Sequence, residues 1–394
     1  MPGKLWVAVL PLAVAETLVW AAFYYSFPAL LPAWEADLGW SRTELAGAFT
    51  GAMVLTGLLA PRAGRVIDRG AGSAMFLGAI AAGALLLAAL AAVAELWQFW
   101  VIWLALGVVN AFCLYEATFA IITTTMGTAA RRAITQVTLV AGFAGTVSFP
   151  AAWGLSETIG WRGALLVFAG VILVVALPLA WLGLRLLAHH AEDPATKPQA
   201  TGREGRAALR NPAFWLIGFG FAVVGLTHGM IITHIRPIMD SRGVAEGLGV
   251  AVASLVGPMQ VLGRVIMVSV QNRVDIHGVA AACYIGMAAG AAALLFATGS
   301  PVLAVGFVIP YAAAYGVISI VRPVLTAELL GRAGFGTISG MVAMPYMLGM
   351  AAAPSIAALL WQAAGYDVVI AFGIAMLMAG LAAVRLARRS AGAG

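Results

Sequence analysis

The sequence predicts an all-α integral membrane protein, with twelve transmembrane helices arranged as two pseudo-symmetric six-helix bundles. Three observations carry this. Hydrophobic residues fill 62% of the 394 positions and charged residues only 10%, against roughly 45–50% and about 25% in soluble chains. Twelve apolar runs reach the ~20 residues needed to cross a ~30 Å hydrocarbon core. Displacing the chain by 204 residues then lays it on itself: Gly39 on Gly243, Arg69 on Arg273, Gly127 on Gly331, Gly145 on Gly349 and Pro150 on Pro354. With one extra residue, Gly160-Trp161 falls on Gly365-Tyr366. Two like halves in an apolar chain are a transporter architecture, with the substrate held where the repeats meet.

Spans 1 to 6 are expected at 6–34, 43–66, 72–94, 97–126, 132–156 and 163–187. Spans 7 to 12 are expected at 211–239, 246–271, 277–298, 301–329, 335–361 and 366–388. Each must be a closed helix, because bare backbone in lipid finds no water to bond. The first run continues past any plausible cleavage point, so it reads as span 1 and not as a removable signal. Prolines inside spans (Pro28, Pro32, Pro258, Pro310, Pro323, Pro345, Pro354) mark bends or tolerated kinks. The one long polar stretch, His189 to Asn211, separates an N-terminal bundle (1–187) from a C-terminal bundle (211–394) and makes 188–210 a cytoplasmic linker.

Sixteen lysines and arginines, among them Lys4, Arg65, Arg131, Arg206, Arg332 and Arg388, fall on one side of these spans. Only Arg42, Arg162, Arg236 and Arg242 fall on the other. By the positive-inside rule both termini and the linker are cytoplasmic; the membrane expected is a bacterial inner membrane. The net charge of +6 follows from this asymmetry and needs no nucleic-acid partner. Cys113 and Cys283 both lie within spans, so neither a disulfide framework nor a metal cluster is expected, and no cofactor is called for.

Between spans 2 and 3 the chain reads Gly64-Arg65-Val66-Ile67-Asp68-Arg69-Gly70. This resembles the signature loop of the major facilitator superfamily, a glycine followed after three residues by Asp-Arg. Gly72 and Ser73 stand where that signature has later basic residues. Within the superfamily the chain is most similar to the monocarboxylate porters and the bacterial oxalate/formate-type antiporters. That likeness rests on Tyr25-Ser26-Phe27-Pro28, Leu38-Gly39-Trp40-Ser41-Arg42, Gly160-Trp161-Arg162 and Gly263-Arg264. The resemblance implies that Arg264 in span 8 receives a carboxylate, and that Tyr115 and Tyr315 face the substrate. Animal members carry an Asp one turn before that arginine, where Gln260 stands here, and a Lys in span 1, where Tyr24 and Tyr25 stand. The basic residue of the oxalate-type relatives in span 11 is also absent, so their coupling scheme does not carry over.

The residues themselves point the same way. An arginine at bilayer depth costs roughly 2.5–3.5 kcal/mol on insertion scales and so faces a cavity or a partner. Arg264 has Ala60 as its repeat mate, so symmetric packing does not demand it, and a guanidinium fits a carboxylate through two parallel hydrogen bonds. The competing reading is a structural pair with Glu116. Glu116 is the leading acidic candidate for a proton site, its protonation balanced between burial and a neighbouring guanidinium; a permanent pair with Arg322 is its alternative. Glu16 is the second candidate. His228, the repeat mate of Tyr24, can titrate or hydrogen-bond a substrate, or simply tie helices together. Tyr311, Tyr315, Phe23 and Trp20 wall an apolar pocket, or merely pack, and Tyr24 and Tyr311 are counted among the substrate-binding candidates. Asp68, Arg69 and Arg273 are expected in gating contacts at the cytoplasmic ends, and Arg322 as a gate or structural charge.

The function expected is secondary transport of a small organic anion, a monocarboxylate, by alternating access, with proton symport ahead of exchange as the coupling. The chain is expected to work as a monomer within the lipid bilayer. The alternatives are efflux of a hydrophobic drug or xenobiotic and, with less in its favour, a non-transporting membrane sensor. A membrane enzyme lacks any nucleophile–base set, metal cluster or phosphate loop at recognisable spacing.

Overall fold

The computed structural model describes residues 2–191, 202–270 and 273–391. Lys197, Asn272 and the middle of the expected linker lie outside them. The described chain is helical throughout. Its first half runs α1 (Pro2–Trp20), α2 (Ser26–Leu38), α3 (Arg42–Val66), α4 (Gly72–Leu90), α5 (Leu96–Cys113), α6 (Tyr115–Met126), α7 (Ala130–Ala141), α8 (Ala144–Val171) and α9 (Leu177–Ala188). The second half runs α10 (Glu204–Arg210), α11 (Pro212–Thr233), α12 (Ile235–Ser241), α13 (Glu246–Val270), α14 (Ile276–Leu295), α15 (Pro301–Gly306), α16 (Val308–Leu330) and α17 (Phe335–Ala391). Part of the expected linker is thus a short helix, α10, whose Ala208 is buried.

Among the described residues nine helical runs are long and apolar enough to cross a membrane. Three of them, 42–90, 130–188 and 335–390, far exceed one crossing. Each contains a glycine in the left-handed region: Gly70 (φ 85), Gly160 (φ 75) and Gly365 (φ 77). A side chain with a Cβ resists that backbone, so glycine is where the chain can turn back. The repeat read in the sequence returns as geometry. Gly39 and Gly243 have φ of 67 and 68, Gly127 and Gly331 of 56 and 83, and Gly160 and Gly365 of 75 and 77.

The chain divides into two compact units: Met1–Glu204 with Arg332–Gly340, and Gly205–Gly331 with Met341–Gly394. In the first unit, α1 widens into a π-helical turn, Ala21–Tyr25, just before Pro28, which has no N–H to offer the carbonyl four residues earlier. Neighbouring helices use the loosened backbone. Ser148 donates its hydroxyl to the Ala21 carbonyl (2.7 Å), and the Asn110 amide donates to that of Phe23 (3.5 Å). In the second unit α13 and α16 meet backbone to backbone. A Cβ on Gly263 would run into the Ala313 backbone, and one on Gly316 into that of Gln260. Small residues are what allow helices in lipid such close approach.

Each unit also pins the end of its first long helix with an ion pair, and the polarity is reversed between them. In unit 1 Asp37, near the end of α2, accepts from Trp161 Nε1 (2.8 Å) and Arg162 Nη1 (2.7 Å), and the guanidinium lies 4.1 Å over the Trp161 ring. In unit 2 Arg242, just beyond α12, pairs with Asp367 at 2.6 Å and donates to Thr298 (3.3 Å). Arg242 is 6% exposed whereas Arg162 is 47% exposed, and buried charges lose more when a partner goes. Arg242→Ala is therefore expected to lower the thermal unfolding midpoint more than Arg162→Ala. Equal shifts in a melting experiment would show that burial does not set the difference.

Candidate functional site

Unit 2 gathers polar side chains around the middle of α16. His228, buried on α11, lies against Tyr315 with ring centroids 3.3 Å apart and planes 8° apart, and is near-parallel to Tyr311 at 6.0 Å. Arg264, buried on α13, donates its Nε to the Gly316 carbonyl at 3.0 Å. That carbonyl belongs to the residue after Tyr315, and the glycine crossing described above brings the two backbones near enough for the bond. Tyr315 and Tyr346 share a hydroxyl–hydroxyl bond of 2.6 Å. The buried Arg322 guanidinium lies 4.5 Å over the Tyr346 ring. Four of the residues singled out in the sequence (Arg264, His228, Tyr311 and Tyr315) thus converge from three helices, and Arg322 joins them through Tyr346.

Unit 1 holds a second cluster. Glu16 on α1 is wholly buried, and Thr118 on α6 donates its hydroxyl to the carboxyl. One turn further, Trp20 gathers Tyr24 (5.1 Å), Tyr25 (6.2 Å) and Tyr115 (4.6 Å). Tyr115 stacks on Phe119 at 4.9 Å, and Tyr24 meets Phe49 edge-on at 5.2 Å. The break in the helix at Leu114, where ψ turns to −172, restarts it at Tyr115 beside this group.

Glu116 belongs elsewhere. It lines a narrow crevice with Ala60, Ala63, Gly64, Gly336 and Gly340. Residues two apart on a helix point to different sides, so Thr118 meets Glu16 while Glu116 turns to the crevice. There α3 and the first turns of α17 touch through backbone, since a Cβ on Gly64 would collide with the Gly336 carbonyl and one on Gly340 with that of Ala60. Asp68 seals this contact. Its carboxylate accepts from the N–H groups of Gly336 and Thr337 (2.8 Å each) and from the Thr337 hydroxyl (2.6 Å). Those N–H groups are the unsatisfied donors of a helix start, where a negative charge is favoured. Arg69 and Arg273 are exposed.

Sequence reasoning passed over Thr118 and Tyr346. Thr118 did leave a signal, being the repeat mate of Arg322. Tyr346 faces Gly142 across the repeat, a mismatch of the same kind.

Long apolar helices, nine of them among the described residues able to cross a membrane, with polar clusters buried between them are the features of an integral membrane protein. The sequence profile described as the Major Facilitator Superfamily matches residues 12–354, and the chain belongs to that superfamily. No curated protein matches it in sequence. Among solved structures it is similar to FucP, a transporter of this superfamily seen in the outward conformation, with 15% identity and a TM-score of 0.76 over 98% of this chain and 99% of that one. A second structure of FucP, the E. coli fucose:proton symporter, gives 15% identity and 0.72 over 97% and 98%. The proton:xylose symporter XylE, bound to 6-bromo-6-deoxy-D-glucose, gives 12% and 0.69 over 95% and 94%. At these identities the likeness shows the fold alone. Proteins of this family and fold are transporters, not enzymes.

Proposed function

We propose that the protein is a proton-coupled secondary transporter of a small organic monocarboxylate, working by alternating access. One observation carries the substrate class: Arg264, buried within unit 2, lies beside the Tyr315–His228 stack. A buried guanidinium is costly at membrane depth unless an anion or a ring of acceptors meets it, and its planar fork suits a carboxylate. Arg264 takes the carboxylate, with His228, Tyr311 and Tyr315 orienting the rest, and Tyr24 and Tyr115 are further candidate substrate contacts. Glu16 carries the proton ahead of Glu116 and His228, because it is an acid wholly buried beside a neutral hydroxyl donor. Counting the three glycine-broken runs twice supports twelve crossings, in bundles 1–187 and 211–394 joined by a linker. The protein is a monomer of the bacterial inner membrane with both termini in the cytoplasm.

A neutral sugar is the second reading. FucP and XylE are described as symporters of fucose and xylose, and the Trp20, Tyr24 and Tyr115 faces suit a sugar ring. Thermal stabilisation of purified protein separates the two, because a ligand of the native state raises the unfolding midpoint. Lactate or propionate at millimolar concentration is expected to raise it while fucose and xylose leave it unmoved. The reverse pattern would overturn the carboxylate reading.

Asp68 acts as a latch and not as a binding group. Asp68→Ala is expected to change the balance of conformations, read as altered thiol labelling of cysteines introduced along α17, while substrate affinity moves only through that balance. Labelling identical to the wild-type background would remove Asp68 from the gating machinery.

A further inference from the structure

In the unit 1 cluster two enclosed polar atoms have no hydrogen-bond partner within the protein: Oε2 of Glu16 and Nε1 of Trp20. The two residues stand one turn apart on α1, on the same side of the helix. The indole N–H bears on the Glu16 carboxyl, so the two atoms face the same space. The other carboxyl oxygen, Oε1, is taken by the Thr118 hydroxyl. The rest of the Trp20 ring lies among Tyr24, Tyr25 and Tyr115. A phenylalanine would fill that place among the rings without enclosing an unpaired N–H, which costs free energy.

The surroundings leave this N–H as the partner that can answer a change of charge. Among the described residues the groups that bear on the carboxyl are Thr118 of α6, Cys113 of α5 and Trp20 itself. The other helices against α1 use their polar groups elsewhere. Arg131 and Arg132 belong to the first turn of α7, and Thr135 and Thr138 bond within that helix. Ser148 of α8 serves the Ala21 carbonyl, and Arg185 of α9 lies over Trp181. An indole nitrogen only donates, and an ionised carboxylate only accepts. Such a bond to a charged acceptor is about twice as strong as one to a neutral acceptor. The pull on the indole is therefore strong when Glu16 is ionised and weak once a proton has added at Oε2.

We infer that Trp20 is the positioning residue that ties the Glu16 proton to the aromatic group of unit 1. Its N–H closes on the carboxylate when the proton leaves and is released when the proton returns. Each change moves the ring against Tyr24, Tyr25 and Tyr115. This rests on Glu16 being the proton site, as proposed above.

The test follows the carboxyl band of protonated Glu16 by infrared spectroscopy while the purified full-length protein, in lipid vesicles, is titrated with pH. Loss of the band in Glu16→Gln identifies it. Trp20→Phe keeps a ring and removes the donor to the ionised form, so the midpoint is expected to move up by about one pH unit. The tyrosine ring bands in the same spectra are expected to follow the Glu16 band in the wild type and to stop following it in Trp20→Phe. Trp34 also has an enclosed Nε1 with no partner within the protein, but it sits among Phe27, Phe99 and Trp103. Trp34→Phe is expected to leave the midpoint in place. Should Trp20→Phe fail to fold, benzothienylalanine at position 20, with sulfur in place of the N–H and the same shape, makes the same comparison. A midpoint unmoved by loss of the N–H, or moved as far by Trp34→Phe, would overturn the inference. Tyrosine bands indifferent to Glu16 in the wild type would do the same. If no titrating band is lost in Glu16→Gln, Glu16 itself falls as the proton site and the inference with it, an outcome distinct from a Glu16 band that ignores Trp20.

Discussion

Arg264→Ala is expected to lower saturable monocarboxylate uptake by about 100-fold or more, the order seen when one partner of a buried, hydrogen-bonded charge pair is removed. The size follows from position. The side chain is 6% exposed and bonded to a backbone carbonyl across a glycine crossing, so no water can stand in for it at low cost. Arg264→Lys is expected to recover little, because an ammonium lacks the planar fork that donates to Gly316 with one nitrogen and to a ligand with others. The unliganded unfolding midpoint of each variant separates loss of binding from loss of fold. Near-normal uptake by a folded Arg264→Ala protein would remove the residue from the site.

Glu16→Gln is expected to abolish the response of uptake to an imposed proton gradient while substrate exchange continues. The amide keeps the shape and can still accept from Thr118, but it cannot carry a proton. Among the described residues Glu16 has no ion pair, so its protonation is not tied to a fixed cation. The readout is the ratio of uptake with and without an inward proton gradient, which should fall to one. A gradient response that survives in Glu16→Gln and disappears in Glu116→Gln would transfer the proton site to the crevice beside Gly64.

Much of this was legible in the chain. Three of the glycine pairs that the repeat lays together, Gly39/Gly243, Gly127/Gly331 and Gly160/Gly365, share a left-handed backbone, because a turn that only glycine tolerates leaves glycine in both copies, whereas Gly145 and Gly349 lie inside helices. The mismatches Ala60/Arg264 and Tyr24/His228 pointed to residues that gather in unit 2. What the sequence could not supply was the company each residue keeps. Glu116 and Thr118 lie two positions apart, and only the helix restart at Leu114 decides which of them turns toward Glu16. Tyr346 carried no reading in the sequence, yet it links Tyr315 to Arg322 through contacts between residues far apart in the chain. The reversed corner pairs, Asp37–Arg162 and Arg242–Asp367, escaped the repeat comparison because equal geometry was reached with opposite charges.

The most direct test is uptake of labelled lactate into proteoliposomes containing the wild-type protein alone, with an inward proton gradient and with that gradient collapsed by a protonophore. The predicted result is saturable accumulation above equilibrium that vanishes with the gradient and is competed by unlabelled lactate but not by fucose. Uptake no greater than in protein-free liposomes, or accumulation competed by fucose and indifferent to lactate, would contradict a proton-coupled carboxylate transporter.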